Sequence, residues 1–71
     1  MEDFDTTLAL NSEQIPARVH PYVNDDKTYY EVVTDGFTLT IYKDTMYTWA
    51  SVDGSSFSQA EIQTIGEQLI L

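Results

Sequence analysis

His20 is the only histidine in the 71-residue chain and the first candidate for acid–base or metal chemistry. A catalytic or metal-binding imidazole needs partners that orient the ring and complete the site. Its neighbours Val19 and Pro21 offer none, no acidic residue lies within three positions, and the chain contains no cysteine. The sequence therefore predicts a structural histidine at the surface or half-buried.

Four aspartates stand nine residues apart, at Asp26, Asp35, Asp44 and Asp53. Calcium takes 6–8 oxygen ligands, so such a series suggests a metal site. The same spacing fits one strand plus one turn, and aspartate is favoured in turns because its side chain bonds the local backbone. Alternate turns of a meander lie at opposite ends of the sheet, and turns at the same end are ~10 Å apart. The series predicts turn residues, with no metal and no cofactor.

Glu31 is the one acidic residue inside a predicted strand, and it has no second carboxylate for glycosidase-type chemistry. Ser58 and the serines before it have no neighbouring histidine or lysine to activate them. Gly36 and Gly54 stand singly, so no loop cradles a phosphate. We expect a protein that is not an enzyme.

Composition limits the remaining classes. A chain of 71 residues with 42% hydrophobic and 13% aromatic residues makes one small domain, residues 1–71, with a packed core. Twelve acidic against three basic residues give a net charge of −9, which repels nucleic acids and anionic membranes. The acidic start has no apolar run of a targeting signal, and no stretch reaches the ~20 apolar residues that span a bilayer. We expect a cytoplasmic protein without direct nucleic-acid or membrane binding.

The strongest local signal is Asp35-Gly36 between two runs of β-branched and aromatic residues. Asp-Gly suits the positive φ angles of a type I′ turn, which predicts a tight hairpin of residues 29–34 with 37–42. Its register pairs Thr34 with Phe37 and places one face in the core, comprising Tyr30, Val32, Phe37, Leu39 and Ile41. The other face carries Tyr29, Glu31, Val33, Thr38, Thr40 and Tyr42.

A further strand is predicted at residues 46–51. A three-residue loop at 43–45 places Tyr47 opposite Ile41 and Trp49 opposite Leu39, so that Trp49 enters the core. A two-residue loop turns Trp49 outward, and we favour the longer loop.

The N-terminal third is harder to order. Residues 15–23 contain Pro16 and Pro21, which lack the N–H that an interior strand donates, so this segment is predicted as an edge strand or an irregular extended piece. A turn follows at residues 24–27. Residues 4–10 alternate in polarity and predict another strand, whose partner stays open.

The C-terminal segment has the signals of a helix over residues 59–70. Ser58 and Glu61 form a capping box, and Ile62, Ile65 and Leu69 share one face. Gly66 on that face costs ~1 kcal/mol relative to alanine, which indicates that the sheet, Trp49 in particular, approaches the helix there.

Together these elements predict an α+β fold, an antiparallel meander of about four strands, with a fifth available from residues 4–10, covered on one face by the C-terminal helix. One helix covers one side, so the second face must meet water, the N-terminal segment or a protein, and its candidate partner-binding residues are Tyr29, Glu31, Val33 and Tyr42. The first functional hypothesis is a non-enzymatic protein-interaction module, as a monomer or a homodimer, that uses this face or a strand edge. The alternative is an acidic inhibitor that imitates the phosphate charge of DNA.

Overall fold

The computed structural model describes residues 2–44, 48–52 and 57–69. They form one five-stranded sheet and one helix: β1 Phe4–Leu10, β2 Glu13–Asn24, β3 Lys27–Val33, β4 Thr38–Lys43, β5 Trp49–Ser51 and α1 Gln59–Leu69. The strands lie in the order β1-β2-β3-β4-β5, and each pairs antiparallel with its neighbour in sequence. The fold is the predicted α+β meander, with β1 as its fifth strand.

Two-residue turns join the first three strands. Asn11 and Ser12 have φ of 52° and 66°, and Asp25 and Asp26 have φ of 52° and 65°. Positive φ at both central residues is the signature of a type I′ turn, which matches the right-handed twist of the strands. Asparagine and aspartate are among the side chains that tolerate this left-handed conformation.

The turn at Asp35-Gly36 is built differently from its prediction. The register is as expected, with Val32 opposite Leu39, but neither turn residue has a positive φ, so the type I′ turn was wrong. Instead, the hydroxyl of Thr34 accepts hydrogen bonds from the amides of Gly36 at 3.2 Å and Phe37 at 3.0 Å. The Thr34 amide also donates to the Phe37 carbonyl at 2.9 Å. A threonine side chain therefore satisfies the turn without glycine's special conformations.

The segment with the two prolines was predicted to be an edge strand or an irregular piece, and that prediction was wrong. They lie in β2, between β1 and β3. In an antiparallel strand successive residues turn their N–H groups to opposite neighbours, and the residues flanking a two-residue turn bond to each other. Pro16 consequently faces a point beyond the end of β3 at Val33, and Pro21 faces a point before the start of β1 at Phe4. Neither proline removes a hydrogen bond from the sheet.

Trp49 points into the core as predicted, but its register differs. It pairs with Lys43 rather than Leu39, and it is 2% exposed. Residues 44–48, rather than 43–45, connect the two strands, and this even difference in length keeps Trp49 on the expected face. The Asp44 amide closes the connection by donating to the Thr48 carbonyl at 2.8 Å. The prediction for Tyr47 lies outside the described residues.

The core fills the space between one sheet face and the helix, which packs on β1, β4 and β5. Tyr30 and Phe37, predicted to be core residues, are partly buried and pack against it. Its buried members come from all five strands and the helix: Leu8, Leu10, Ala17, Val19, Val32, Leu39, Ile41, Trp49, Ile62, Ile65 and Leu69.

The helix starts with the predicted capping box. The Ser58 amide donates to the Glu61 carboxylate at 2.9 Å, and the Glu61 amide donates to the Ser58 hydroxyl at 3.2 Å. The Asn11 side chain donates to the same carboxylate at 2.9 Å, which ties the helix start to the β1–β2 turn. These hydrogen bonds, that of Asn11 foremost, lower the pKa of Glu61 below its ordinary value because they stabilise the ionised form. The predicted last residue, Ile70, lies outside the described residues.

Gly66 lies directly against the indole of Trp49. A Cβ atom added at Gly66 overlaps the ring atoms Cγ and Cδ2, so only glycine fits here. The sequence-based prediction of a close approach by Trp49 is confirmed. The helix accepts the propensity cost of glycine because the contact brings its backbone onto the largest side chain of the core.

Three helix glutamines bond to the backbone of the two outermost strands. Gln68 accepts from the Ala9 amide at 2.7 Å and donates to the Ala9 carbonyl at 3.0 Å, on the outer edge of β1. Gln63 accepts from the Trp49 amide at 2.9 Å, and Gln59 donates to the Trp49 carbonyl at 2.6 Å, on the outer edge of β5. The sheet curves so that both edges reach the helix, and each glutamine amide takes the place of a neighbouring strand.

The Gly66 contact predicts that alanine destabilises the protein at position 66 but not at position 36. Gly66→Ala should lower the free energy of unfolding by roughly 1–3 kcal/mol through overpacking, although alanine is the better helix former. Gly36→Ala is the matched control, because its added Cβ meets nothing within 4 Å. It should change stability by less than about 0.5 kcal/mol. Urea unfolding of the variants tests this, and equal stabilities contradict the contact.

Candidate functional site

The open face is the side of the sheet that points away from the helix. Side chains alternate along each strand, so the residues between the core positions face this side. On the three central strands the open face includes Arg18, His20, Tyr22, Lys27, Tyr29, Glu31, Val33, Thr38, Thr40 and Tyr42. All four residues predicted to bind a partner are among them.

Three tyrosines form a row across the open face. Tyr22 pairs with Tyr29 and Tyr29 pairs with Tyr42 in the strand register. Their ring centroids are 5.4 Å and 5.5 Å apart, and all three residues are half-buried. The ring of His20 stacks on Tyr22 at 5.8 Å. The predicted pair of Tyr29 and Tyr42 is therefore part of a longer aromatic row.

The sequence prediction missed Tyr22, although a signal for it was present. Residues 24–27 were recognised as a turn, and a two-residue turn between Asn24 and Lys27 sets Tyr22 directly opposite Tyr29. The expected edge position of the proline-containing segment obscured this pairing.

A polar cluster borders the tyrosine row. His20 Nδ1 lies 2.5 Å from Asp3 Oδ1, and Arg18 lies 3.7 Å from Asp3 and 3.2 Å from Asp5. The hydrogen bond from His20, followed by the charges of His20 and Arg18, lowers the pKa of Asp3 below its ordinary value. The residues next to His20 in sequence gave no sign of Asp3, because the two residues are 17 positions apart.

The Asp3–His20 pair does not form an enclosed catalytic centre. The two side chains are 37% and 50% exposed, so water screens their interaction. A carboxylate and an imidazole in this setting fix each other's orientation and border a surface.

Glu31 and Val33 lie on β3, the central strand of the five. Glu31 lies between His20 and Thr40 in the register, and it is half-buried. Across residues 2–44, 48–52 and 57–69, no hydrogen bond or ion pair involves its carboxylate. Val33 is 41% exposed. Their common face is as expected, and their partner-binding role stays a prediction.

Two aromatic rings, those of Tyr42 and Trp49, lie under lysine ammonium groups. Lys27 Nζ is 5.1 Å from the centroid of Tyr42, and Lys43 Nζ is 6.0 Å from that of Trp49. Such contacts arise because the face of an aromatic ring carries negative potential. The tyrosine row therefore presents surfaces suited to positive groups.

The structure describes three of the four aspartates that were predicted to lie in turns. Asp26 and Asp35 lie in successive turns, Asp44 follows β4, and Asp53 lies outside the described residues. In the described part of the chain, no three histidine, cysteine, aspartate or glutamate side chains are grouped to hold a metal. Nor does that part contain a helix long and apolar enough to cross a membrane.

No family model, curated protein or solved structure matches this chain.

The polar cluster predicts a change in the pKa of Asp3. His20→Ala removes the leading cause of its depression, so this pKa should rise toward the ordinary value of 3.8. Arg18→Gln is the control and should produce a smaller rise, because Arg18 contributes less. Carboxyl-detected NMR titration measures both.

The sign of the associated stability follows from linkage. Because folding lowers the pKa of Asp3, the ionised Asp3 carboxylate stabilises the folded protein. This stabilisation is fully present above the unfolded-state pKa and is lost as the pH falls through the folded-state pKa. An Asp3 midpoint that does not respond to His20→Ala contradicts the described pair.

Proposed function

We propose that this chain is a non-enzymatic protein-interaction module that binds its partner through the open face. The tyrosine row carries the proposal. Tyrosine offers large, rigid contact area at a small cost in conformational entropy, and it is enriched among residues that dominate binding energy. In the row these side chains are half-exposed at one end of a face that no described element covers.

The helix glutamines favour the face over a strand edge. A partner strand must bond to outward-facing N–H and C=O groups of β1 or β5. At Ala9 and Trp49 these groups already bond to glutamine side chains. A partner strand that pairs at Ala9 or at Trp49 has to displace these side chains, whereas a partner on the open face displaces no such hydrogen bond.

The open face is small for a binding surface. A six-residue strand spans about 20 Å, and strands are about 4.8 Å apart, so three or four strands offer a patch of roughly 300–400 Å². A standard protein interface buries about 800 Å² on each partner. These dimensions favour a short segment or a loop of the partner over a broad globular surface.

Substitution of the tyrosines tests the proposal. The double variant Tyr29→Ser and Tyr42→Ser should lose at least about tenfold in partner affinity, because two large aromatic anchors are removed. Affinity capture from a lysate of the native host, with quantitative mass spectrometry, compares the variant with the wild type at low and high salt. Circular dichroism and urea unfolding verify that the variant is folded.

Val23→Ser is the matched control, because Val23 is 62% exposed and its side chain alternates away from the open face. It should leave capture unchanged. If every specifically retained protein binds the double variant as well as the wild type, the open face is not the binding site.

A further inference from the structure

The Glu31 carboxylate is the unpaired acidic group of the open face. Asp3 and Asp5 bond to His20 and Arg18, whereas Glu31 has no such partner among the described residues. A half-buried carboxylate is less well solvated than an exposed one, so a cationic hydrogen-bond donor gains more by binding there.

The tyrosine rings lie within reach of the same donor. Tyr29 and Glu31 are two residues apart on β3 and point to the same side, which sets them about 7 Å from each other. The position of Lys27 over Tyr42 demonstrates that a ring in this row accepts a cation. A planar guanidinium can stack on a ring face while two of its N–H groups bond to a carboxylate, whereas a lysine ammonium has neither the planar surface nor the paired donors.

The charge of the whole chain selects among partners. A net charge of −9 attracts a basic segment from a distance and repels both a second copy of the chain and a nucleic acid. The small area of the open face favours an extended stretch of a few residues, as argued above.

We infer that the open face binds an arginine-containing basic segment of a partner protein, with a guanidinium stacked on Tyr29 and paired with Glu31. This inference rests on the proposed function and specifies its partner. Lys27 opposes binding, because it occupies the ring of Tyr42 and adds a like charge.

Defined peptides test the inference without knowledge of the natural partner. Short peptides of alternating arginine and glycine, lysine and glycine, and glutamate and glycine are titrated into the labelled protein, with an oligothymidine strand as a further probe. Amide NMR shifts give both affinity and location. The arginine peptide should bind most tightly, and the shifts should concentrate at residues 18–22, 29–33 and 38–42.

Four variants separate site-specific binding from net charge. Glu31→Gln should weaken binding of the arginine peptide about fivefold. Glu67→Gln removes the same charge from an exposed position on the helix and should change affinity by less than about twofold. Tyr29→Leu keeps apolar bulk but removes the ring and should weaken binding by about two- to fivefold. Lys27→Gln should strengthen binding.

Several results overturn the inference. The first is an equal loss of affinity for the arginine peptide in Glu31→Gln and Glu67→Gln. The second is binding of the glutamate peptide or oligothymidine as tight as that of the arginine peptide. The others are amide shifts confined to the acidic turns, or no binding of the arginine peptide. Formation of a dimer through the open face, detected by sedimentation, has the same consequence.

Capture of the natural partner distinguishes this inference from the proposed function. If capture depends on Tyr29 and Tyr42 but is unchanged by Glu31→Gln, the face is the binding site and the basic partner is wrong. If capture depends on none of these residues, both proposals fail.

Discussion

The contact between Gly66 and the indole of Trp49 is the constraint on which the structure depends. It brings the helix backbone onto the centre of the core, and a side chain at position 66 cannot be accommodated without movement of the ring. In a chain of 71 residues a single core supplies only about 3–5 kcal/mol of net stability, so one close contact between the largest side chain and the only described helix has a large share in it. The pairing of Trp49 with Lys43 and the capping box at Ser58 place the two partners on facing elements.

The position of the helix determines which surfaces are left for binding. From this contact the helix reaches β5 through Gln59 and Gln63, and β1 through Gln68. The sheet is consequently curved around the helix, its outermost strands are bonded at Ala9 and Trp49, and its other side carries the tyrosine row. The proposed binding surface is thus the side of the sheet that the helix does not cover. We propose that its aromatic rings and Glu31, which has no partner among the described residues, give it a preference for positive groups.

Much of this arrangement could be predicted because its rules are local. The capping box, the helical spacing of Ile62 and Ile65 and the register across Asp35-Gly36 each follow from residues close in sequence. Gly66 signalled a close approach by the sheet because it interrupts the apolar face of the helix. The prolines of β2 were misjudged because their effect depends on where the neighbouring strands end, which no local pattern gives. The pairing of β2 with β3 adds Tyr22 to the aromatic row. The pairing of β1 with β2 brings Asp3 to His20. The glutamine contacts depend on sheet curvature, so they had no signal in the sequence.

Site-resolved hydrogen exchange of the free protein tests most directly whether the helix is bonded to both outermost strands, at Ala9 and at Trp49. The Ala9 and Thr7 amides both point outward from β1, but only Ala9 has an acceptor among the described residues, at Gln68. The account predicts much slower exchange at Ala9 than at Thr7, slow exchange at Trp49, and loss of protection at Ala9 but not at Trp49 in Gln68→Ala. Equal exchange at Ala9 and Thr7 contradicts it, because the edge would then be open and as available to a partner strand as the open face is to a segment.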